Sequence, residues 1–360
     1  MTPPPVSTVR PPVSLGLIGC GHWGLNLFRE ASGSAGASVT AACDIDSDRL
    51  HQLGKSHPGL SLFSSADELL KKSSADGVLI ATPQATHYDL ALAALQAGKH
   101  VYVEKLLGQT STEAEELDLL ARRKGLILMV GHVCAHDPLV EHLLDEVAAG
   151  TAGELLHIRA VRVALGRHQP DANVVWDLAP HDLSILQRLT GGMPNEVAVH
   201  GKAFVGDAVE IASIRLAYDA GPVVDLCVSW LDPLKERRWN LLGTKGSLLL
   251  DWLDHEDPFF FQDGRAEMVQ NGHAPEFIYH NGRRQALGSS SSVDSPLSRL
   301  CRHFIDCLVT GSSPITGGPE GTALLTVLEA CDRSIAAGGS AMRVGLDSPA
   351  NVVNPAQVSW

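Results

Sequence analysis

Three short constellations in this 360-residue chain carry side chains able to do chemistry. The first is Gly19-Cys20-Gly21-His22-Trp23-Gly24, a G-x-G-x-x-G placed directly after the apolar run VSLGLI and directly before a helical pattern. Glycines at these positions let the chain turn tightly and bring a pyrophosphate against the N–H groups of a helix N-terminus. Gly19, Gly21 and Gly24, with His22 and Trp23 between them, are therefore the candidate dinucleotide loop. Asp44 follows after about 20 residues, at the end of the second strand, the spacing at which a carboxylate accepts from the ribose hydroxyls of adenosine. A carboxylate there also repels a 2′-phosphate, so NAD is the expected cofactor and NADP the less favoured one.

The second constellation is Glu104-Lys105, at the end of the strand KHVYVE. An open parallel sheet presents residues at this edge to the cofactor crevice, where a lysine donates to the substrate oxygen and stabilises developing alkoxide charge. A solvated loop lysine has the same positional signature. The third is Trp176-Asp177-Leu178-Ala179-Pro180-His181-Asp182, with a carboxylate and an imidazole four residues apart at the entry to a helix. Taking Pro180 as the first helical residue puts His181 in the first turn, where the helix dipole disfavours imidazolium and leaves a neutral base. Asp177 then holds the ring or contacts substrate hydroxyls, although on spacing alone a helix-capping aspartate with a structural histidine is the commoner arrangement.

These side chains need a scaffold, and the chain supplies alternating short apolar runs and amphipathic stretches from Val13 to about Cys134. Such alternation implies parallel strands joined by crossover helices. Ser65 with Glu68 and Thr110 with Glu113 fit capping boxes, and Gly98 and Gly125 fit helix stops. After a helix near Pro138–Ala149 the runs lengthen (LLHIRAVRVAL, NEVAVHGKAF, EIASIRLAY, PVVDLCVSW, ERRWNLLG, SLLLDWL) and are separated by hairpin-like breaks, which favours a largely antiparallel sheet. A helix over Pro180–Thr190 interrupts the early part of this series. The polar segment from Asp254 to Ser295 reads as a long surface excursion, followed by helices near Pro296–Val309 and Pro319–Ala337.

The expected fold is α/β: an N-terminal Rossmann doubly wound parallel sheet, then an α+β domain with a largely antiparallel sheet. The expected boundaries are a Pro-rich leader over 1–12, a dinucleotide-binding domain over 13–134, a substrate-binding and oligomerisation domain over 135–345, and a tail over 346–360.

Composition removes several function classes. A formal net charge of -13 without any offsetting basic run argues against nucleic acid. The opening Pro-rich residues lack the order of a signal peptide and no apolar run approaches a membrane span, so a cytoplasmic protein with no membrane partner is expected. Seven scattered cysteines without a C-x-x-C pair read as reduced, mostly buried thiols. His132, His136 and Asp137 stand close together, but hydride transfer needs no metal and none is expected.

Assembled, these residues resemble the Gfo/Idh/MocA oxidoreductases over about Val13 to Val344. The likeness is carried by GLIGCGHWGLNLFRE, ACDIDSDR, IATPQATHYDLALAALQAGKHVYVEK, MVGHVCAHDP, DLAPHDLSILQRLTG and WNLLGTKGSLLLD. Within the family, GCGHWG and WDLAPHD are most similar to the sugar-nucleotide 3-dehydrogenases acting on UDP-N-acetylglucosamine or its uronic acid. The resemblance implies that Lys105 and His181 form the catalytic pair with Asp177 beside them. It also implies that Ala81, Thr82, Pro83, His87 and Glu104 line the nicotinamide side, with Lys105 contacting the cofactor as well, and that the second sheet is open-faced and used for oligomer contacts.

The expected activity is NAD-dependent interconversion of a secondary hydroxyl and a ketone on a sugar, at the 3-hydroxyl of a pyranose in a nucleotide-sugar or amino-sugar pathway. A free-sugar or inositol dehydrogenase, a non-catalytic dinucleotide-sensing regulator, and an enzyme cleaving a glycosidic bond through transient oxidation are the alternatives. His132, Trp176, Arg162 and Arg167 are the substrate-side candidates, with Arg159, Lys235, Arg237 and Arg238 as further phosphate contacts for a nucleotide sugar. A homodimer or homotetramer is expected, because a broad sheet with Val, Ile, Leu and Trp on alternate positions needs cover.

Two departures from the family stand out. Leu106 replaces the proline of Glu-Lys-Pro, and a non-proline cis bond costs about 3 kcal/mol, so a trans bond is expected after Lys105. His136-Asp137-Pro138 replaces Tyr-Asn-Pro on the substrate side.

Overall fold

A computed structural model describes residues 12–166, 172–270, 275–288 and 294–345. The leader before Pro12, the tail after Gly345, Arg167 and the run Ser289–Ser292 lie outside the described residues. The chain divides into two compact units, one running to Gly131 and including Leu297–Thr322, the other comprising His132–Pro296 and the residues from Ala323 onward.

In the first unit the strands are β1 (Val13–Ile18), β2 (Ala37–Cys43), β3 (Ser61–Phe63), β4 (Gly77–Ile80), β5 (His100–Glu104) and β6 (Leu128–Gly131). They form a parallel sheet in the order β3-β2-β1-β4-β5-β6. Their near-continuous apolar runs are what a sheet buried on both faces requires: Leu15, Leu17, Val78, Ile80, Val101 and Val103 are inaccessible or nearly so. Five helices connect them: α1 (His22–Gly33), α2 (Ser47–Ser56), α3 (Ala66–Lys72), α4 (His87–Gln96) and α5 (Ser111–Lys124). Two caps are those the sequence signals: Ser65 Oγ accepts from Glu68 N and Thr110 Oγ1 from Glu113 N, each at 3.2 Å. The strand order reverses at β1, so the crevice for a ligand lies beyond the carboxyl ends of β1 and β4.

The stretch Leu297–Thr322 was expected in the second domain and instead belongs with this sheet. Two contacts explain the transfer. Phe304, in α8 (Pro296–Thr310), packs edge-on against Tyr102 of β5. Thr316 exchanges bonds with Val130 of β6, N to O at 2.7 Å and Oγ1 to O at 2.8 Å.

The second unit holds a nine-stranded sheet in the order β14-β13-β12-β11-β7-β10-β9-β8-β15. Its strands are β7 (Leu155–Val163), β8 (Glu196–Lys202), β9 (Ile211–Ala217), β10 (Val223–Ser229), β11 (Glu236–Gly243), β12 (Gly246–Asp251), β13 (Phe259–Gln270), β14 (Pro275–Gly288) and β15 (Met342–Arg343). Only the β7–β10 pair is parallel. Helices α6 (Pro138–Ala148) and α7 (Val174–Thr190), with α9 (Gly318–Ala336) entering from Ala323, complete it.

In this sheet Ile158, Ile214, Leu226 and Trp239 are buried on the face that α7 covers, while Arg159, Arg215 and Asp225 occupy the other. Two sequence expectations change here. The 254–295 excursion is largely a two-stranded ribbon, β13 with β14, whose exposed polar residues hid the strand period. Helix α7 begins at Val174, six residues before Pro180, because Asn173 Oδ1 accepts from Val175 N and Trp176 N at 3.0 and 3.1 Å. Pro180 is thus inside the helix and His181 lies beyond its first turn, out of reach of the dipole effect assigned to it. Asn173→Ala should lower unfolding stability by about 1 kcal/mol in urea titrations, the usual contribution of an N-cap.

Candidate active site

The glycine turn begins where β1 stops. Gly19 has φ +97°, and a Cβ there would lie 2.5 Å from the Ala81 carbonyl oxygen; a Cβ on Gly24 would run into the Gly19 carbonyl. Both positions therefore exclude any side chain. Gly21 is different: a Cβ there would meet only Arg49 Nη1 at 3.9 Å, so this glycine opens the turn rather than packing it. As N-cap of α1 it supplies no side-chain acceptor, leaving the first-turn N–H groups to an outside anion. These features fit a dinucleotide pyrophosphate. His22 and Trp23 start α1, and the Trp23 indole donates to Glu104.

Asp44, 7% exposed, closes the turn from the end of β2. Its Oδ2 accepts from Cys20 N at 2.6 Å and its Oδ1 from Asp46 N at 2.8 Å. The carboxylate thus fixes the glycine turn, a role that spacing did not reveal. Arg49 pairs with Asp46 at 3.2 Å.

Of the residues expected to line the nicotinamide, Ala81-Thr82-Pro83 follow β4, while Glu104 ends β5 and Lys105 follows it, on adjacent strands of one sheet. His87, at the start of α4, ties the two turns together: Nδ1 lies 2.7 Å from the Leu106 carbonyl oxygen and Nε2 2.9 Å from that of Thr82. Burial pushes this ring below its ordinary value, with the two carbonyl contacts opposing. Burial likewise pushes the Glu104 carboxyl up, against the bonds from Tyr102 and Trp23, and Tyr102 Oη donates to Glu104 Oε1 at 2.6 Å. The Lys105–Leu106 peptide is cis, not trans as expected. Leu106 is buried in the core, with its carbonyl oxygen against His87 Nδ1.

A histidine held below its usual value in the folded state binds fewer protons than in the unfolded chain, so stability is full above the unfolded value and is lost as pH falls through the folded one. His87 and His100, both lowered first by burial, act in this sense below about 6.5. The melting temperature should therefore fall between about pH 7 and about pH 5, and His87→Gln should flatten that slope.

In the second unit, Asp177 and His181 share one face of α7 at i, i+4 spacing. Asp177 Oδ2 accepts from Trp230 Nε1 at 3.1 Å, and His181 Nδ1 lies 3.6 Å from Cys134 Sγ. Cys134 belongs to a 3₁₀ turn, Val133–His136, directly after the buried His132. Asp137 caps α6 through Leu139 N at 2.9 Å and accepts from Trp252 Nε1 at 3.2 Å, so its replacement of asparagine keeps a structural task.

Two substrate-side candidates are committed elsewhere. Arg162, 7% exposed, makes a bidentate pair with Asp182 at 2.7 and 3.0 Å, and Trp239 Nε1 donates to the same carboxylate at 2.8 Å. The Trp176 indole donates to Asp332 at 2.8 Å, stapling α7 to α9. Arg162 is therefore buried structure, not an exposed phosphate contact. Sequence reasoning missed Asp182, Cys134 and Trp239, whose importance arises only when β7, β11 and the 3₁₀ turn close on α7.

Residues 13–132 match the GFO/IDH/MocA oxidoreductase family, NAD-binding Rossmann fold, and residues 140–249 match the GFO/IDH/MocA C-terminal domain. The chain belongs to the Gfo/Idh/MocA oxidoreductase family. It is 30% identical over 241 residues to UDP-N-acetylglucosamine 3-dehydrogenase of Acidithiobacillus ferrooxidans, covering 67% of this chain and 74% of that one. It is 27% identical to D-apiose dehydrogenase of Paraburkholderia graminis, over 94% of this chain and 91% of the relative. Among solved structures, GenD2 from gentamicin A biosynthesis in complex with NAD superposes with a TM-score of 0.78 at 20% identity, covering 96% and 100% of the two chains, a likeness of fold alone. This Gfo/Idh/MocA protein is thus an NAD-binding oxidoreductase with named sugar-dehydrogenase relatives. Among the described residues, no helix is long and apolar enough to cross a membrane.

Proposed function

We propose that this oxidoreductase oxidises, or in reverse reduces, the 3-position of a nucleotide-linked pyranose, with His181 as proton acceptor, Lys105 as donor to the same oxygen, and NAD as the preferred dinucleotide. The observation that carries this reading is the joint retention of the open Gly21 turn, Asp44, Lys105 and the Asp177–His181 pair in one chain. A dinucleotide sensor needs only the first two. When bound, NAD supplies the hydride acceptor. The chain's own part is to remove the hydroxyl proton at the His181 imidazole and to hold the oxygen by the Lys105 ammonium as negative charge develops. Asp177 sits one turn before His181, placed to contact the sugar or the ring.

Asp44 supports NAD over NADP. Removing its hydrogen bonds in Asp44→Ala should weaken NAD binding by about 10- to 100-fold, measured by fluorescence titration, while NADP changes less.

One observation favours a free sugar as the second reading. Of the cations proposed for a diphosphate, Arg162 is locked to Asp182, Arg238 pairs with Glu236 at 2.8 Å, and Arg159 lies on the sheet face opposite α7. Incubating the protein with NAD and either UDP-N-acetylglucosamine or free sugars and inositols separates the readings. The favoured one predicts NADH formation and a 3-keto product only with the nucleotide sugar, inhibited by excess UDP; turnover of free sugars unaffected by UDP would replace it.

A further inference from the structure

The contact at His181 Nδ1 bears on how a histidine can serve as the proton acceptor, and the inference below rests on that reading of His181. A neutral imidazole accepts a proton at Nε2 only if its own proton sits on Nδ1, and the group facing Nδ1 decides which tautomer is present. In this chain the recorded group is a thiol, Cys134 Sγ at 3.6 Å. A thiol is able either to donate its S–H to Nδ1 or to accept Nδ1–H on sulfur, and the two choices have opposite consequences.

The two choices differ in where the S–H points. Arg162, held in place by two bonds to Asp182, also faces the Cys134 sulfur, and a sulfur that accepts from both Arg162 and Nδ1–H directs its own S–H away from the ring. Arg162, Asp182, Asp137 and Arg237 are the charged groups around this sulfur, and Asp177 is the carboxylate one turn before the ring on α7. Burial pushes the thiol up, so it stays uncharged and does not compete with the imidazole for the proton. The turn is fixed against α7 independently: Arg188 donates to the Ala135 carbonyl and to both Glu141 carboxylate oxygens, the latter at 2.7 and 3.1 Å. The sulfur is therefore presented to the ring by a braced segment.

We propose that Cys134 is a positioning residue whose sulfur accepts the Nδ1 proton of His181 and thereby presents Nε2 as the nitrogen that takes the substrate hydroxyl proton. When that proton arrives at Nε2, the imidazolium keeps its Nδ1–H on sulfur and the thiol neither gains nor loses a proton. Cys134 touches neither cofactor nor substrate in this scheme.

The test reads the His181 ring directly, through the pH dependence of imidazole C2–H deuterium exchange followed by peptide mass spectrometry on full-length protein. An acceptor at Nδ1 favours the imidazolium, so Cys134→Ala should lower the His181 midpoint by about half a pH unit or more. Cys134→Ser, which restores an acceptor, should bring the midpoint back to the wild-type value or above. An upward shift in the alanine variant would mean that the thiol donates to the ring, and an unchanged midpoint that it does neither; both overturn the proposal, as does an equal fall in the serine variant. Because the readout needs no turnover, it stands apart from the catalytic reading. A lowered His181 midpoint with no matching shift in the acid limb of kcat would leave the Cys134 contact intact and remove His181 as the base.

Discussion

His181→Ala and Lys105→Ala variants are each expected to lose about two to four orders of magnitude in kcat with NAD affinity nearly unchanged, as steady-state assays and dinucleotide titration would measure. The size follows from the two proposed tasks. A positioned base contributes about 10²–10⁴-fold, and one donor aimed at a developing oxyanion contributes about 10²–10³-fold. Dinucleotide binding should survive because the glycine turn is fixed by Asp44, through Cys20 N, and by the fit of Gly24 against Gly19, none of which involves either side chain. Because the groups would act on the same oxygen, the double variant should lose far less than the product of the single losses. A Lys105 variant that lost NAD binding instead would assign that lysine to the cofactor alone.

The second large effect falls on stability. Asp182→Ala should destabilise the protein by about 3–5 kcal/mol, the usual consequence of removing one partner of a buried pair. Arg162 would keep its charge inside the protein without the bidentate carboxylate, and Trp239 would lose its acceptor. Burial alone would push the guanidinium down; the adjacent carboxylate is what holds it above its ordinary value. Replacing both partners with apolar residues, as in Arg162→Met with Asp182→Leu, should recover much of the loss, since no unpaired charge remains. Urea titrations of the single and double variants measure this.

Legibility in the sequence followed the range of the interactions. Gly19 could be read because its φ of +97° is a local requirement for glycine, Gly24 because the Gly19 carbonyl five residues away leaves no room, and the capping boxes at Ser65 and Thr110 because cap and target lie three residues apart. Local signals also misled. Pro180 looks like a helix start, yet the stronger cap at Asn173 begins α7 six residues earlier. The β13–β14 ribbon looked like a loop because its exposed strands carry polar residues on both faces, leaving no alternation to read. Asp182, Arg162 and Cys134 were illegible as a group. They come from α7, β7 and a 3₁₀ turn, and nothing in any one segment announces the other two.

The same division applies to chemistry. Lys105 and the Asp177–His181 pair were visible as residue types at plausible places, whereas their partners were not. Arg162 shows the cost of judging by type alone: an arginine beside a substrate domain suggests phosphate, but its donors are committed to Asp182.

Lys105 and His181 are proposed to act together on one hydroxyl of a sugar held beside the nicotinamide. A crystal structure of the protein with NAD and UDP-N-acetylglucosamine tests that joint action most directly. Lys105 Nζ and His181 Nε2 should both lie within hydrogen-bond distance, about 2.6–3.2 Å, of the 3-hydroxyl oxygen, with the adjoining carbon facing the nicotinamide ring. A bound sugar whose hydroxyl is reached by only one of the two, or by neither, would contradict it.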